Sequence, residues 1–254
     1  MGVMPATDRA LAGWRVLVPR GGKWGDAVAA TLRGLGAIPV IAPLINFAST
    51  DDPDALARAL ERLTTGSYDW LVVTSATTVD VLVSSGVALP ERTRVAAVGE
   101  TTAAALVLAG YHVDFVPEDN SARGLVREWD SGATGSVLVP QSDIAEPTLV
   151  AGLADRGLDI EYVAAYRTVG VPVADSVRAD VASGRIGALL VTSGSVARQI
   201  AEQLAPLPEA TVVACIGPRT AFDARGAGLT VHAIAESRSA DSLVESLVDF
   251  VAGR

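Results

Sequence analysis

Residues 68 to 79 read YDWLVVTSATTV, and residues 189 to 197 read LLVTSGSVA. In each, an aliphatic run ends on Thr-Ser and passes at once into small residues, the pattern of a buried parallel strand leading into a covering helix. Thr74 and Thr192 lie 118 positions apart (192 minus 74), and the same offset joins Gly99 to Gly217, Thr102 to Thr220, Gly110 to Gly228, Ser121 to Ser239 and Leu125 to Leu243. A constant offset sustained this far marks an internal repeat.

The starts of the halves match as well. VLVP at Val16 to Pro19 returns at Val137 to Pro140, and Gly36 pairs with Gly157, both at an offset of 121, so three residues were gained or lost in between. Strands are predicted at Val16 to Val18, Ile38 to Ala42, Trp70 to Val73, Val95 to Val98, Val113 to Val116, Val137 to Val139, Ile160 to Ala164, Ala188 to Val191, Val212 to Ile216 and Leu229 to Ile234. Asp52, Thr101, Ser121 and Ser239 stand where helices need N-caps, and Gly36, Gly110, Gly157 and Gly228 where they need to stop.

Two halves of five strand-helix units argue for two doubly wound parallel sheets of the flavodoxin type and against one eight-unit barrel. The second unit of each half carries a long extended segment, AIPVIAPLINF at 37 to 47 and LDIEYVAAYRT at 158 to 168. These segments are expected to form a two-segment linker between α/β domains that flank a cleft.

Composition narrows the function. With 254 residues, 50% hydrophobic and 19% charged, the chain has ample material for packed cores. Its net charge of -9 repels nucleic acid and anionic membranes, so neither is an expected partner. A single cysteine, Cys215, excludes an intramolecular disulfide and a cysteine-rich metal site. The amino terminus has no apolar run behind a basic start, and no stretch is long enough to span a bilayer, so a cytoplasmic protein is expected.

GETTAA and GPRTA are not the dinucleotide-binding fingerprint, and no GxxxxGK[ST] loop is present, which disfavours nucleotide enzymes. Cys215 lies inside the apolar run VVACIG and reads as a small core residue rather than a nucleophile. His112 and His232 are not repeat partners, because Asp114 is the residue 118 before His232; both histidines read as strand residues.

The chain resembles the uroporphyrinogen-III synthase family over nearly its whole length. The resemblance rests on YDWLVVTSATTV at 68 to 79, VAAVGETTAAAL at 95 to 106, AYRT at 165 to 168, LLVTSGSVA at 189 to 197, ACIGPRTA at 214 to 221 and SADSLVESL at 239 to 247. It implies a discontinuous domain of residues 1–42 and 168–254 with residues 43–167 inserted as the other domain. It also implies a cofactor-free, metal-free monomer that cyclises the linear tetrapyrrole hydroxymethylbilane with inversion of ring D.

In that reaction the bilane loses its terminal hydroxyl, and attack by the substituted carbon of ring D gives a spiro intermediate that fragments and recloses. Because the bilane closes unaided to the uninverted isomer, the enzyme's task is to shape the chain and stabilise the rearranging cation. The candidate catalytic residue is Tyr166 of AYRT, whose repeat partner is Ile45; a packing role with a solvated tip is the competing reading.

Ligands of open α/β sheets gather beyond the carboxyl ends of the strands. Those positions are Arg20, Thr74, Ser75, Gly99, Gln141, Thr192, Ser193 and Gly217, joined by Thr220, which the resemblance places near the cleft. Hydroxyls and backbone N–H groups there suit the eight carboxylates that the resemblance implies, although capping is the simpler role for each Ser and Thr. Thr77 stands where many members have Asn, and Lys23, Arg198, Arg219 and Arg238 lie at loop ends comparable to that of Arg20. The rival reading is a two-lobed cytosolic sensor of a small anion, since fold alone does not establish catalysis.

Overall fold

The computed structural model describes residues 9–130 and 134–254. The chain divides into two compact units, one of Met1–Asn46 with Val169–Arg254 and the other of Phe47–Thr168. The first unit contains β1 (Arg15–Val18), α1 (Gly22–Gly34), β2 (Ile38–Ile41), α7 (Asp175–Ala182), β8 (Ala188–Val191), α8 (Gly194–Leu204), β9 (Val212–Cys215), α9 (Pro218–Gly226), β10 (Ala233–Ile234) and α10 (Ala240–Ala252). The second contains α2 (Pro53–Thr64), β4 (Trp70–Val73), α3 (Ala76–Ser84), β5 (Arg94–Ala97), α4 (Glu100–Leu108), α5 (Ala122–Glu128), β6 (Ser136–Ser142) and α6 (Thr148–Ala154). The chain passes from one unit to the other within β3 (Ile45–Ser49) and within β7 (Asp159–Gly170).

Each unit is built on a five-stranded sheet, ordered β10-β9-β8-β1-β2 in one and β3-β7-β6-β4-β5 in the other. Read from β2, the first order is the 2-1-3-4-5 arrangement of flavodoxin-like sheets. The second repeats it in circularly permuted form, with β7, β6, β4 and β5 in the places of β2, β1, β8 and β9.

The repeat extends to the register of the parallel ladders. Arg15 faces Ile38 and Ser136 faces Asp159, both members shifted by 121, while Trp70 faces Arg94 and Ala188 faces Val212, both shifted by 118. Val16 opposite Ala188 and Val137 opposite Trp70 join the two sets identically. The change of offset therefore falls between pieces that each sheet still aligns in the same way.

Both faces of each sheet are covered, which is why the strands read as unbroken apolar runs. Leu17, Leu189, Val191, Val213 and Cys215 enter one core of the first unit, and their neighbours Val16, Val18, Leu190, Val212 and Ala214 enter the other. In the second unit Leu71, Val73, Val95 and Leu138 pack on one face, and Trp70, Val72, Val137 and Val139 on the other.

Helix punctuation follows the chemistry of the termini. Ser121 and Ser239 accept the backbone N–H groups of Gly124 and Ser242, and Asp52 accepts that of Ala55. Gly36 and Gly157 follow their helices at φ 82° and 87°, a left-handed conformation that a Cβ disfavours.

Several expectations need correction, among them the strand expected at 229 to 234, which is reduced to Ala233–Ile234 because His232 Nδ1 takes the Val213 N–H. Thr101 lies inside α4 and the cap is Gly99, because the Asn120 side chain supplies the oxygen that accepts the Glu100 N–H at 2.9 Å. The strand expected at 113 to 116 is reduced to one bridge, Ala96 to Phe115, since the Asp114 carboxylate takes the Val95 N–H that a ladder would use. The segment after Ile38 forms two strands, broken around Pro43, which has no N–H to donate to a ladder.

Candidate functional site

In the second unit Tyr166 sits on β7, opposite Ser142 of β6, after a register shift between Gln141 and Ser142. Gln141 pairs with Ala164, so Ala165 is the extra residue, and this bulge carries Tyr166 into the position that Ala165 would otherwise fill. Asp143 steadies the end of β6 by accepting the Thr168 N–H at 3.1 Å, while the Ser142 and Thr168 hydroxyls meet at 2.9 Å. The Tyr166 ring meets Phe47 edge-on, with centroids 5.3 Å apart.

The Tyr166 hydroxyl lies 2.9 Å from Ser75 Oγ. Ser75 caps α3 by accepting the Thr78 N–H at 3.2 Å, and its Oγ is 3.1 Å from Thr78 Oγ1, which in turn reaches the Pro140 carbonyl at 3.4 Å. If Thr78 donates to Pro140, Ser75 donates to Thr78 and Tyr166 donates to Ser75. Turning the Ser75 and Thr78 hydroxyls reverses the chain: Thr78 then donates to Ser75, Ser75 to Tyr166, and the phenol proton is free to point elsewhere. Burial pushes the Tyr166 pKa up, and the nearby Asp143 charge adds to it against the opposing Ser75 hydrogen bond, so the phenol stays neutral and a donor at neutral pH.

The other candidates of this unit lie at the ends of neighbouring strands. Thr74 precedes Ser75 at the end of β4, Gln141 is buried in β6, and Gly99 heads α4, where Asn120 already occupies the first amide. Thr77 is in the first turn of α3 and lines a cavity of about 870 Å³ that Phe47 and Tyr166 also wall. Among the described residues that cavity carries Glu61 and Asp80 and no lysine or arginine, so it offers carboxylate groups no cationic partner.

In the first unit Arg20, Thr192 with Ser193, and Gly217 with Thr220 follow three adjacent strands, β1, β8 and β9. Arg20 is exposed, its guanidinium 5.2 Å from the Trp24 ring centre. Ser193 caps α8 by accepting the Val196 N–H at 3.2 Å, as its repeat partner Ser75 caps α3. The Thr192 hydroxyl oxygen is enclosed without a hydrogen-bond partner. Gly217 heads α9 in an extended conformation and Thr220 is buried in the first turn.

The repeat partner of Asn120 is Arg238, whose Cγ lies 3.5 Å from where a Gly217 Cβ would stand. One unit thus places an amide oxygen, and the other an arginine, beside the same helix terminus. Among the remaining cations, Arg219 Nε meets Asp223 at 3.0 Å and Arg198 approaches Ser195 at 3.4 Å.

Among the described residues, Tyr166 and Ser75 are the only candidates that share a hydrogen bond. Reading the sequence missed Phe47, Thr78, Ser142, Asp143 and Thr168. Of these only Thr78 had a local signal, three positions after a capping serine. Cys215 is fully buried and its thiol is pushed up to about 12 by that burial, against the opposing charge of Arg225, which removes it as a nucleophile at neutral pH. Among the described residues no cluster of His, Cys, Asp and Glu could hold a metal, and no helix is long and apolar enough to cross a membrane.

Two flavodoxin-like units with hydroxyls and helix N-termini at the carboxyl ends of their strands define a two-unit α/β architecture. The uroporphyrinogen-III synthase HemD family matches residues 26–245, and the chain belongs to that family of cyclising lyases of haem biosynthesis. A mutant uroporphyrinogen III synthase from the extremely thermophilic bacterium Thermus thermophilus superposes with a TM-score of 0.68 at 19% identity, over 95% of this chain and 100% of that one. The uroporphyrinogen-III synthetase of Helicobacter pylori gives 0.61 at 16% identity, over 93% and 98%. No curated protein sequence matches significantly.

Proposed function

We propose that this chain converts hydroxymethylbilane to uroporphyrinogen III, with Tyr166 supplying the hydrogen bond under which the terminal hydroxyl departs. The hydroxyl leaves as water with one added proton, and the resulting azafulvene cation is attacked by the substituted carbon of ring D. The spiro intermediate then fragments and recloses with ring D inverted, and a final proton loss restores the ring.

The observation that carries the role is the neutral, mostly buried phenol held 2.9 Å from Ser75 Oγ. A neutral phenol stabilises the departing oxygen, and the reversible hydroxyl chain lets its proton point away from Ser75. On this reading the substrate carboxylates are taken by Arg20, the Ser193 hydroxyl and the N-termini of α8 and α9, with Thr192 beside Ser193. Thr74, Gln141 and Gly99 belong to the substrate-facing strand ends of the second unit, and Thr220 to those of the first. The enzyme works as a cytoplasmic monomer without cofactor or metal.

The test adds purified protein to freshly generated hydroxymethylbilane and separates the oxidised porphyrins by isomer. Predominantly type III is expected. Only type I, formed at the spontaneous rate by protein shown to be folded, overturns the reading.

A further inference from the structure

At the opposite, amino-terminal end of the first sheet, the chain builds a cationic pocket. Arg15 opens β1, Gly187 and Thr211 immediately precede β8 and β9, and with Trp14, Arg185 and Arg254 they wall a cavity of about 380 Å³. No aspartate or glutamate lines it among the described residues. Arg15 Nη2 meets Asp180 at 2.6 Å and Arg185 Nε meets the same carboxylate at 2.8 Å, so two guanidiniums share one counter-charge outside the lining. Arg254 lies over the Phe250 ring at 5.1 Å, and Arg15 Nε is enclosed without an acceptor. In a protein of net charge -9, a lining that carries three arginines and no aspartate or glutamate among the described residues is a local excess of cationic side chains.

The repeat shows how the other unit treats the same place. The counterparts of Trp14, Arg15, Arg185 and Gly187 are Gly135, Ser136, Ser67 and Asp69. There the Asp69 carboxylate accepts the Ser136 N–H at 2.8 Å and the Ser136 hydroxyl lies 3.0 Å from the Ser67 carbonyl, so the position is closed by the chain's own groups. In the first unit the carboxylate has become Gly187, two serines have become arginines, and the indole of Trp14 packs 3.0 Å from where a Gly187 Cβ would stand. The Asp69 carboxylate has no counterpart at Gly187, and Asp180, at the repeat position of Arg62, is the single carboxylate that Arg15 and Arg185 share.

We propose that this pocket binds a small oxyanion, a phosphate or an organic carboxylate, through Arg15, Arg185 and Arg254 with Trp14 as its apolar wall. Guanidinium forks match both groups in geometry and charge. The site is separate from the carboxylate-binding surface proposed above, since the strands of this sheet are parallel and Arg20, Ser193 and Gly217 lie at their other ends.

The test is calorimetric titration of the full chain with inorganic phosphate and, separately, with citrate, at constant ionic strength set with sodium chloride. Saturable one-site binding of at least one anion is expected, weakened at least tenfold in both Arg254→Gln and Arg185→Gln. Preference for phosphate or for citrate identifies the ligand class. Arg254→Gln leaves the Asp180 pairs intact, so its binding defect is not a folding defect, and its rate of type III formation stays that of the parent. Absence of saturable binding by either anion, or unchanged affinity in Arg254→Gln, overturns the proposal without touching the lyase reading.

Discussion

Asp114 and His232, 118 positions apart, do the same work in the two sheets: Asp114 Oδ2 accepts the Val95 N–H at 2.7 Å, and His232 Nδ1 accepts the Val213 N–H at 3.0 Å. Val95 and Val213 are themselves repeat partners. A side chain replaces a ladder carbonyl in both, but only the imidazole can lose its acceptor near neutral pH.

The His232 pKa is lowered by burial and further by the Arg254 charge, even though Glu236, Glu245 and Asp249 line the adjoining cavity. With the folded pKa below the unfolded value of about 6.5, the unfolded chain takes up the proton first. The stabilisation is complete above that value and is lost as pH falls through the folded pKa. His232→Asn keeps an acceptor without titrating, so its melting temperature should fall less than the parent's between pH 7 and pH 5. Parallel curves would remove His232 from the pH response.

Tyr166→Phe keeps the edge contact with Phe47 and deletes only the hydroxyl. Ser75 retains its Thr78 contacts, so the fold should survive. Loss of an acid-side hydrogen bond is expected to slow type III formation by about a hundredfold. A rate within twofold of the parent, read from isomer-resolved product curves, would restrict Tyr166 to packing.

Ser75 and Ser193 give a matched pair. Each caps a helix by accepting the third amide, and replacing either by alanine should cost about 1 kcal/mol of stability. Only Ser75 touches the Tyr166 hydroxyl. Ser75→Ala should therefore lower kcat by roughly fivefold beyond any change in Ser193→Ala, while Ser193→Ala should act mainly on KM. Equal effects on kcat would show that the Ser75 contact does not position the phenol.

What the sequence reveals follows from how local each constraint is. The repeat was legible because Ser75 and Ser193, or Gly36 and Gly157, answer to demands of a single helix end and so stay at fixed offsets. β3 was hidden because Ile45 to Ser49 continues an extended run, and nothing local says that its partner is β7. The strand expected at 113 to 116 carried the right apolar pattern, but Asp114 competes for the backbone donor. The approach of Tyr166 to Ser75, 91 positions apart, depends on strand order and on the bulge at Ala165, neither of which a motif records.

Cys215 should be silent toward thiol reagents. Its side chain is fully buried in the β9 core and its pKa is pushed up to about 12 by burial, leaving almost no thiolate at pH 8. Incubation of the native protein with iodoacetamide is expected to leave both thiol titre and activity unchanged, with full labelling in denaturant. Rapid native labelling with loss of type III product would return the thiol to the mechanism.

Two glycines of α1 are expected to respond in opposite directions. Gly25 is buried, and an added Cβ would overlap the Arg20 carbonyl oxygen, so the turn that presents Arg20 exists in this form only without a side chain there. Gly34, in the last turn, has nothing within 4 Å of an added Cβ and does not need a positive φ. Gly34→Ala should stabilise by about 0.5–1 kcal/mol through helix propensity. Gly25→Ala should destabilise by about 1–3 kcal/mol as an overpacked site and raise KM by displacing Arg20. Urea midpoints compare the stabilities, and a KM left unchanged in Gly25→Ala would separate the Arg20 turn from substrate binding.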